Sequence, residues 1–370
     1  MAALRLGPRD TPEGRVNDLT AQKLDVRTDA LSEGLSEPDS YLLQPSAYFS
    51  RSWHDAEQAT IFSHTWHLVG HSSELTGDRR LSVVTGAGRY LLGSRPDGSL
   101  WGRRSSCPAS DRYPEAEPGE MDRPAVAVWE DLVWLNPDPD ATPLDSWLAG
   151  VLDMVNGYRP SALALGGRSK IPAAFNWKLF VENHIDVLHL WYLHANTLPG
   201  AHRLFEWDFV GPHWVSYEPL LPNTERPRRF SEPLSHVAGG RGPEGIGAHL
   251  LFPNVVFTTG RDSVQLTTMR PTGPESCELD TIVLCEPGAR PIDEHEALRH
   301  RVPGGVLDQD LTACEGMQAV IRSSRFSVGP IARDHERPIT RFQTELLRAM
   351  GDTVRTSSDV DSNPPGNRIS

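Results

Sequence analysis

Between residues 80 and 136 the chain alternates apolar and polar positions in short runs broken by turn residues, the period-two signature of strands. Residues 81–85 and 89–93 flank Gly86-Ala87-Gly88, and residues 125–129 and 132–136 flank Glu130-Asp131. Both arrangements predict tight hairpins, and the run Asn136-Pro137-Asp138-Pro139-Asp140 closes this small antiparallel β unit as a linker. Upstream, Trp53, Ala56, Phe62 and Trp66 offer one helical side, Ser52 and Asp55 fit an S-x-x-D helix start, and the pattern gives way to strand near Leu68. Trp147, Leu148 and Val151 predict a further helix. A second set of strand-like runs, 214–220, 247–252, 255–259, 264–270 and 277–285, is spaced by short turns, which predicts an antiparallel sheet. Leu311, Cys314, Val320 and Ile321 then Ile339, Phe342, Leu346 and Met350 recur near the helical period, and Gly351 is a plausible stop for the last helix.

The fold class is therefore α+β. A small antiparallel β domain at 46–140 is followed at 141–351 by a larger domain with an antiparallel sheet flanked by helices. Residues 1–45 form a polar arm and 352–370 a polar tail. The segment 225–245, rich in Pro, Gly and Arg, reads equally as a lid or as a plain surface loop.

Chemistry concentrates in residues 176–198, NWKLFVENHIDVLHLWYLHANTL. On a continuous helix Glu182, Asp186 and His189 share one face. His194 joins them if the helix ends near Asn196, as the proline at 199 suggests. Two imidazoles and a carboxylate on one side, with open positions on the other, is the facial arrangement that holds non-haem iron. A His-x4-His pair alone is usually nothing more than two core or surface histidines. Acidic groups on the same face of an otherwise apolar segment change that balance, because they are costly to bury unless paired or metal-bound. The nearby His64, His67 and His71 read as solvent-facing or hydrogen-bonded side chains.

The segment N-W-K-x-x-x-E-N-x-x-D-x-x-H-x-x-x-x-H resembles the mononuclear iron motif of Rieske-type aromatic-ring-hydroxylating oxygenase α-subunits. Residues 48–75, 129–144, 249–254 and 308–318 resemble further parts of that family in the same order, so the likeness runs from about Tyr48 to Met350. It implies a catalytic domain of helix-grip type, with Fe(II) held by His189, His194 and Asp310. It implies that Asp186 links the iron to a Rieske cluster of a neighbouring subunit, and that Glu182 or Asn183 orients a ligand histidine. It also implies a small organic substrate, O2, a reductase chain and a trimeric or hexameric assembly. Read without the resemblance, Asp308 or Asp310 is a helix-start carboxylate.

One departure matters. A Rieske [2Fe–2S] cluster takes two Cys and two His from a C-x-H and a C-x-x-H loop. Here the first loop reads Cys107-Pro108-Ala109, and no Cys or His occurs between Asp111 and Val128. The small β domain therefore resembles a degenerate Rieske shell, and no [2Fe–2S] cluster is expected in this chain. Three functions follow. The first is an oxygenase drawing electrons from a separate Rieske-bearing homologous subunit. The second is a metal-dependent hydrolase, lyase or substrate-reduced oxygenase. The third is a non-catalytic partner subunit.

Composition narrows the rest. With 370 residues, 38% of them hydrophobic, the chain can bury a sizeable core. A net charge of −13 argues against nonspecific nucleic-acid binding. Only Lys23, Lys170 and Lys178 are lysines, a bias that reads as genome composition. No apolar run approaches a membrane span, the first residues lack a signal-peptide core, and four scattered cysteines without metal spacing fit idle thiols in the cytoplasm.

Overall fold

The computed structural model describes residues 43–105, 123–151, 158–198, 206–219, 229–234, 245–293, 301–329, 331–332 and 335–351. The expected arm and tail, the Cys107–Pro108–Ala109 stretch and most of the 225–245 segment lie outside the described residues.

A 3-10 turn at Pro45–Tyr48 leads into α1 (Arg51–Thr60). The cap of α1 is Ser50, two residues earlier than the S-x-x-D pattern placed it, and the Arg51–Asp55 pair at 2.8 Å occupies the first turn instead. Six strands follow: β1 (His67–His71), β2 (Leu81–Thr85), β3 (Gly88–Ser94), β4 (Leu100–Arg104), β5 (Ala125–Trp129) and β6 (Leu132–Asn136). They form two three-stranded antiparallel sheets ordered β1-β6-β5 and β2-β3-β4. Both expected hairpins are present. Glu130 and Asp131 have φ of 52° and 61°, as a two-residue turn matched to strand twist requires. At the other hairpin a Cβ on Gly86 would come within 1.9 Å of the Gln58 carbonyl oxygen, so only glycine lets the turn sit against α1.

After the short helix α2 (Leu144–Trp147) comes the main sheet. Its strands are β7 (Ala164–Ala173), β8 (Glu206–Val210), β9 (His213–Pro219), β10 (Gly245–Leu251), β11 (Val255–Thr259), β12 (Ser263–Gly273) and β13 (Ser276–Cys285). The order is β7-β13-β12-β11-β10-β9-β8, antiparallel throughout. The helices are α3 (Trp177–Ile185), α4 (His189–Tyr192), α5 (Val306–Ile321) and α6 (Arg337–Met350), the last ended by Gly351 at φ 55°.

The main sheet is buried on both faces, and β11 and β13 are buried along nearly their whole length. On one face Val256, Met269 and Leu279 join Phe180, Leu311 and Phe342 of the helices. On the other, Val255, Leu266 and Ile282 meet Trp129 and Trp134 of the β1-β6-β5 sheet and Trp66 just before β1. An ionic clamp spans the second junction. Asp280 takes Arg168 Nε at 2.8 Å and Arg270 Nη2 at 3.2 Å, and the same guanidiniums donate to the β1 carbonyls of Val69 at 2.8 Å and Leu68 at 2.6 Å. Burial alone would raise the Asp280 carboxyl, but the two guanidiniums outweigh it and hold it below the usual range.

Helix α3 lies at the centre of the helical layer. Asn176 caps it, its Oδ1 accepting from Lys178 N at 3.0 Å, while its own backbone N–H donates to Gln318 of α5 at 2.8 Å. Seven of its nine residues are buried, so it is enclosed all round. Even Lys178 is fully buried, paired with Glu57 of α1.

Candidate metal centre

The expected continuous helix over 176–198 is broken, and the break builds the site. Helix α3 stops at Ile185, and Asp186 takes an extended backbone (φ −76°, ψ 114°). Its Oδ1 accepts from Leu188 N at 2.7 Å, a local turn that competes with helix propagation. Glu182, Asp186 and His189 therefore do not form one stripe. Glu182 faces the opposite way, accepting from Tyr48 Oη at 2.7 Å and Gln343 Nε2 at 2.8 Å, and it touches neither histidine. Burial pushes its carboxyl up to about 7 against those two donors and Lys178.

His189 opens α4, and its Nδ1 donates to the Asp186 backbone carbonyl. His194, 1% exposed, has Nδ1 against Gln309 Oε1 at 2.8 Å, and that oxygen also accepts from Thr197 Oγ1 at 2.7 Å. Each Nδ1 thus faces an oxygen acceptor to which it can donate its ring proton. Both Nε2 atoms turn to the same carboxylate: His194 Nε2 lies 2.9 Å and His189 Nε2 3.7 Å from Asp310 Oδ1. The three ligand-type atoms all lie within 4.8 Å of one another, and the rings stand at 78° with centroids 5.1 Å apart. Asn183 Nδ2 donates to the same Asp310 oxygen at 2.9 Å.

Asp310 does not sit in the first turn of α5. The cap is Gly305, and Asp308 is the helix-start carboxylate, accepting from Gly304 N at 2.9 Å and pairing with Arg301. That frees Asp310, one turn on, to point at the histidines. Burial lowers His189; on His194 the Asp310 contact outweighs burial and raises the imidazole. Two imidazole nitrogens and a carboxylate oxygen lying within 4.8 Å of one another could hold a metal ion. Nitrogen and carboxylate donors in that number fit a mononuclear divalent metal.

Three polar contributors escaped the sequence reading. Gln309 and Thr197 fix the His194 ring, and their only sequence signal is adjacency to the ligand positions. His184, the residue after Asn183, also lies near His189 and Asp310. Asp186 has its carboxyl raised by burial, with His335 and Glu336 of the α6 approach as neighbours. Among the described histidines outside the site, His67 is buried and bonded to the Phe62 carbonyl at 2.9 Å, and His71 bonds Ser73 Oγ. Cys277, Cys285 and Cys314 are buried free thiols, raised by burial.

This sheet, its helix layer and the clustered histidines and carboxylate are the architecture of a Rieske-type oxygenase α-subunit. Residues 160–352 match the model of the ring hydroxylating alpha subunit catalytic domain, and the chain belongs to that family. Among its relatives, choline monooxygenase of Atriplex hortensis is 22% identical over 235 residues, 61% of this chain and 50% of that protein. Biphenyl dioxygenase subunit alpha of Metapseudomonas furukawaii is 22% identical, covering 75% of this chain and 79% of that one. The chain spans about half the length of the choline monooxygenases it matches. The fold is shared with the quaternary ammonium Rieske monooxygenase CntA, at TM-score 0.68 and 15% identity over 85% of this chain and 96% of that one. It is shared too with naphthalene 1,2-dioxygenase from Rhodococcus sp., at TM-score 0.62 and 16% identity over 90% and 98%. Among the described residues no helix is long and apolar enough to cross a membrane.

Proposed function

We propose that this chain is a mononuclear non-haem Fe(II) oxygenase subunit that oxidises a small organic substrate with O2, with electrons supplied by a separate Rieske-bearing subunit and its reductase. The observation that carries the reading is the convergence of His189 Nε2, His194 Nε2 and Asp310 within 4.8 Å, each ring held by an acceptor at its far nitrogen. Iron bound there supplies O2 activation at its open positions. The chain's own residues do the rest. The Asp186 carbonyl and Gln309 set the tautomer and orientation of the ligand imidazoles, and Asn183 holds the Asp310 carboxylate by one oxygen. Asp186, between His189 and the His335–Glu336 segment, is the residue through which electrons from a neighbouring subunit would reach His189. The need for a partner rests on sequence: in the region where a Rieske domain carries its two ligand loops, this chain has Cys107 and no histidine. The region 46–140 is then a Rieske-like shell that serves packing, and a mixed trimer or hexamer places the donor next to Asp186.

Protein purified without oxygen tests this by metal analysis and an optical spectrum. We expect one iron per chain, no visible iron–sulfur bands, and loss of the iron in His189→Ala. Turnover should appear only when a Rieske-bearing subunit, a reductase and NAD(P)H are added. No iron even after Fe(II) reconstitution would overturn the oxygenase reading, and iron–sulfur bands would overturn the need for a partner.

A further inference from the structure

His184 lies within electrostatic reach of His189 and Asp310 and is not one of the proposed metal ligands. It follows Asn183 on α3, so the helix that delivers one side chain to Asp310 delivers the next imidazole about 100° further round. The ring is fixed on two sides. It stands edge-on to Trp214 of β9, with centroids 6.4 Å apart and planes at 85°. It also makes a hydrogen bond to the backbone carbonyl of His249 on β10. Its Nε2 is buried and has no hydrogen-bond partner, so the bond to His249 belongs to Nδ1. A carbonyl can only accept; Nδ1 therefore carries the proton and Nε2 presents a lone pair. Protonating both nitrogens is opposed by burial, which lowers this imidazole to about 4, and His189 adds to the effect. The result is a neutral acceptor, buried, of fixed orientation, close to His189 and Asp310. A buried acceptor without a donor is costly, and native proteins rarely leave one unless a ligand or water completes it.

We infer that His184 Nε2 is a specificity-determining acceptor for a hydrogen-bond donor, a hydroxyl or N–H, on the substrate held beside the metal. This rests on the oxygenase reading of the site and narrows its substrate class. A pure hydrocarbon leaves Nε2 unpaired, and a substrate that presents a carbonyl or carboxylate oxygen there sets lone pair against lone pair. The site therefore favours molecules bearing a hydroxyl or amine over bare hydrocarbons.

Phenol and fluorobenzene test this as matched probes, similar in shape but differing in a single donor. Their dissociation constants are measured by ligand-observed NMR titration on the full chain, with and without Fe(II), in the wild type, His184→Phe and His184→Gln. Metal content is read separately, so a chain that fails to hold iron still answers the question. We expect phenol to bind the wild type about tenfold more tightly than fluorobenzene, as one buried hydrogen bond gives. His184→Phe should erase the difference with iron content unchanged, and His184→Gln, which keeps an acceptor, should retain part of it. Phenol binding no tighter than fluorobenzene in the wild type, or a preference that survives His184→Phe, would overturn the assignment.

Discussion

At the scale of single residues, the site depends on which nitrogen of each imidazole carries the proton. Gln309 and the Asp186 carbonyl settle that for His194 and His189, and Asn183 steadies the carboxylate they meet. Removing such supporting contacts typically weakens metal affinity ten- to a hundredfold. Gln309→Ala and Asn183→Ala should each weaken Fe(II) binding within about that range while leaving the melting temperature close to wild type; competition with a chelator measures it. Loss of iron no greater than in Thr344→Ala, on the far helix α6, would mean these contacts are incidental. His184, Gln309 and Thr197 were invisible to the sequence because no period or spacing distinguishes a residue that touches a ligand from one that merely adjoins it. His189 and His194 fall inside one long motif, whereas Asp310, 116 residues beyond His194, was reached only through the resemblance of residues 308–318.

At the scale of elements, what the sequence hid was where backbone order breaks. The hairpins at 86–88 and 130–131 were legible because Gly and paired acidic turn residues mark them directly. Strand β7 was not. Its sequence ALGGRSKIPA carries Gly166, Gly167 and Pro172, which argue against a strand, yet it is an edge strand, where proline is tolerated. A Cβ at Gly166 would come within 2.9 Å of the Phe230 ring, so glycine is there for close approach. The break after Ile185 was hidden for a similar reason, since the Asp186 side chain ends the helix through a bond to Leu188. Strand β7 also supplies Arg168, half of the clamp on Asp280. Asp280 is 2% exposed, and Asp280→Ala would leave Arg168 and Arg270 without their shared counterion in the sheet interface. The expected cost is about 3–5 kcal/mol, read as a fall in the denaturant midpoint. Lys170→Ala, whose ammonium is half exposed, should cost well under 1 kcal/mol by the same measurement.

At the scale of the whole molecule, several imidazoles are locked neutral in the core. His213 accepts from Phe252 N at Nδ1 and donates to the Trp147 carbonyl at Nε2, so a second ring proton would face an N–H. His249 likewise accepts from Ser216 N. Burial lowers His67 and His249 to about 3, and His184 and His213 to about 4. A depressed imidazole contributes stability that is complete above pH 6.5 and is lost as pH falls toward its folded value. The rate is about 1.4 kcal/mol per pH unit for each group. Glu182, raised to about 7, runs the other way and offsets roughly one histidine between pH 7 and 4.5. The thermal midpoint should therefore fall from pH 7 to pH 5, with a shallower slope in His213→Gln; a flat profile would show that these histidines titrate freely. The ligands of the proposed metal come from two stretches 116 residues apart, His194 and Asp310, with β8 through β13 between them. An ion bound by both is a cross-link, and closing a loop of about that length removes on the order of 4–5 kcal/mol of chain entropy from the unfolded state. Iron affinity and fold stability are then one quantity measured from two ends. The melting temperature with and without Fe(II) becomes a binding assay, and a destabilising change far out in the sheet will read as a weaker metal site.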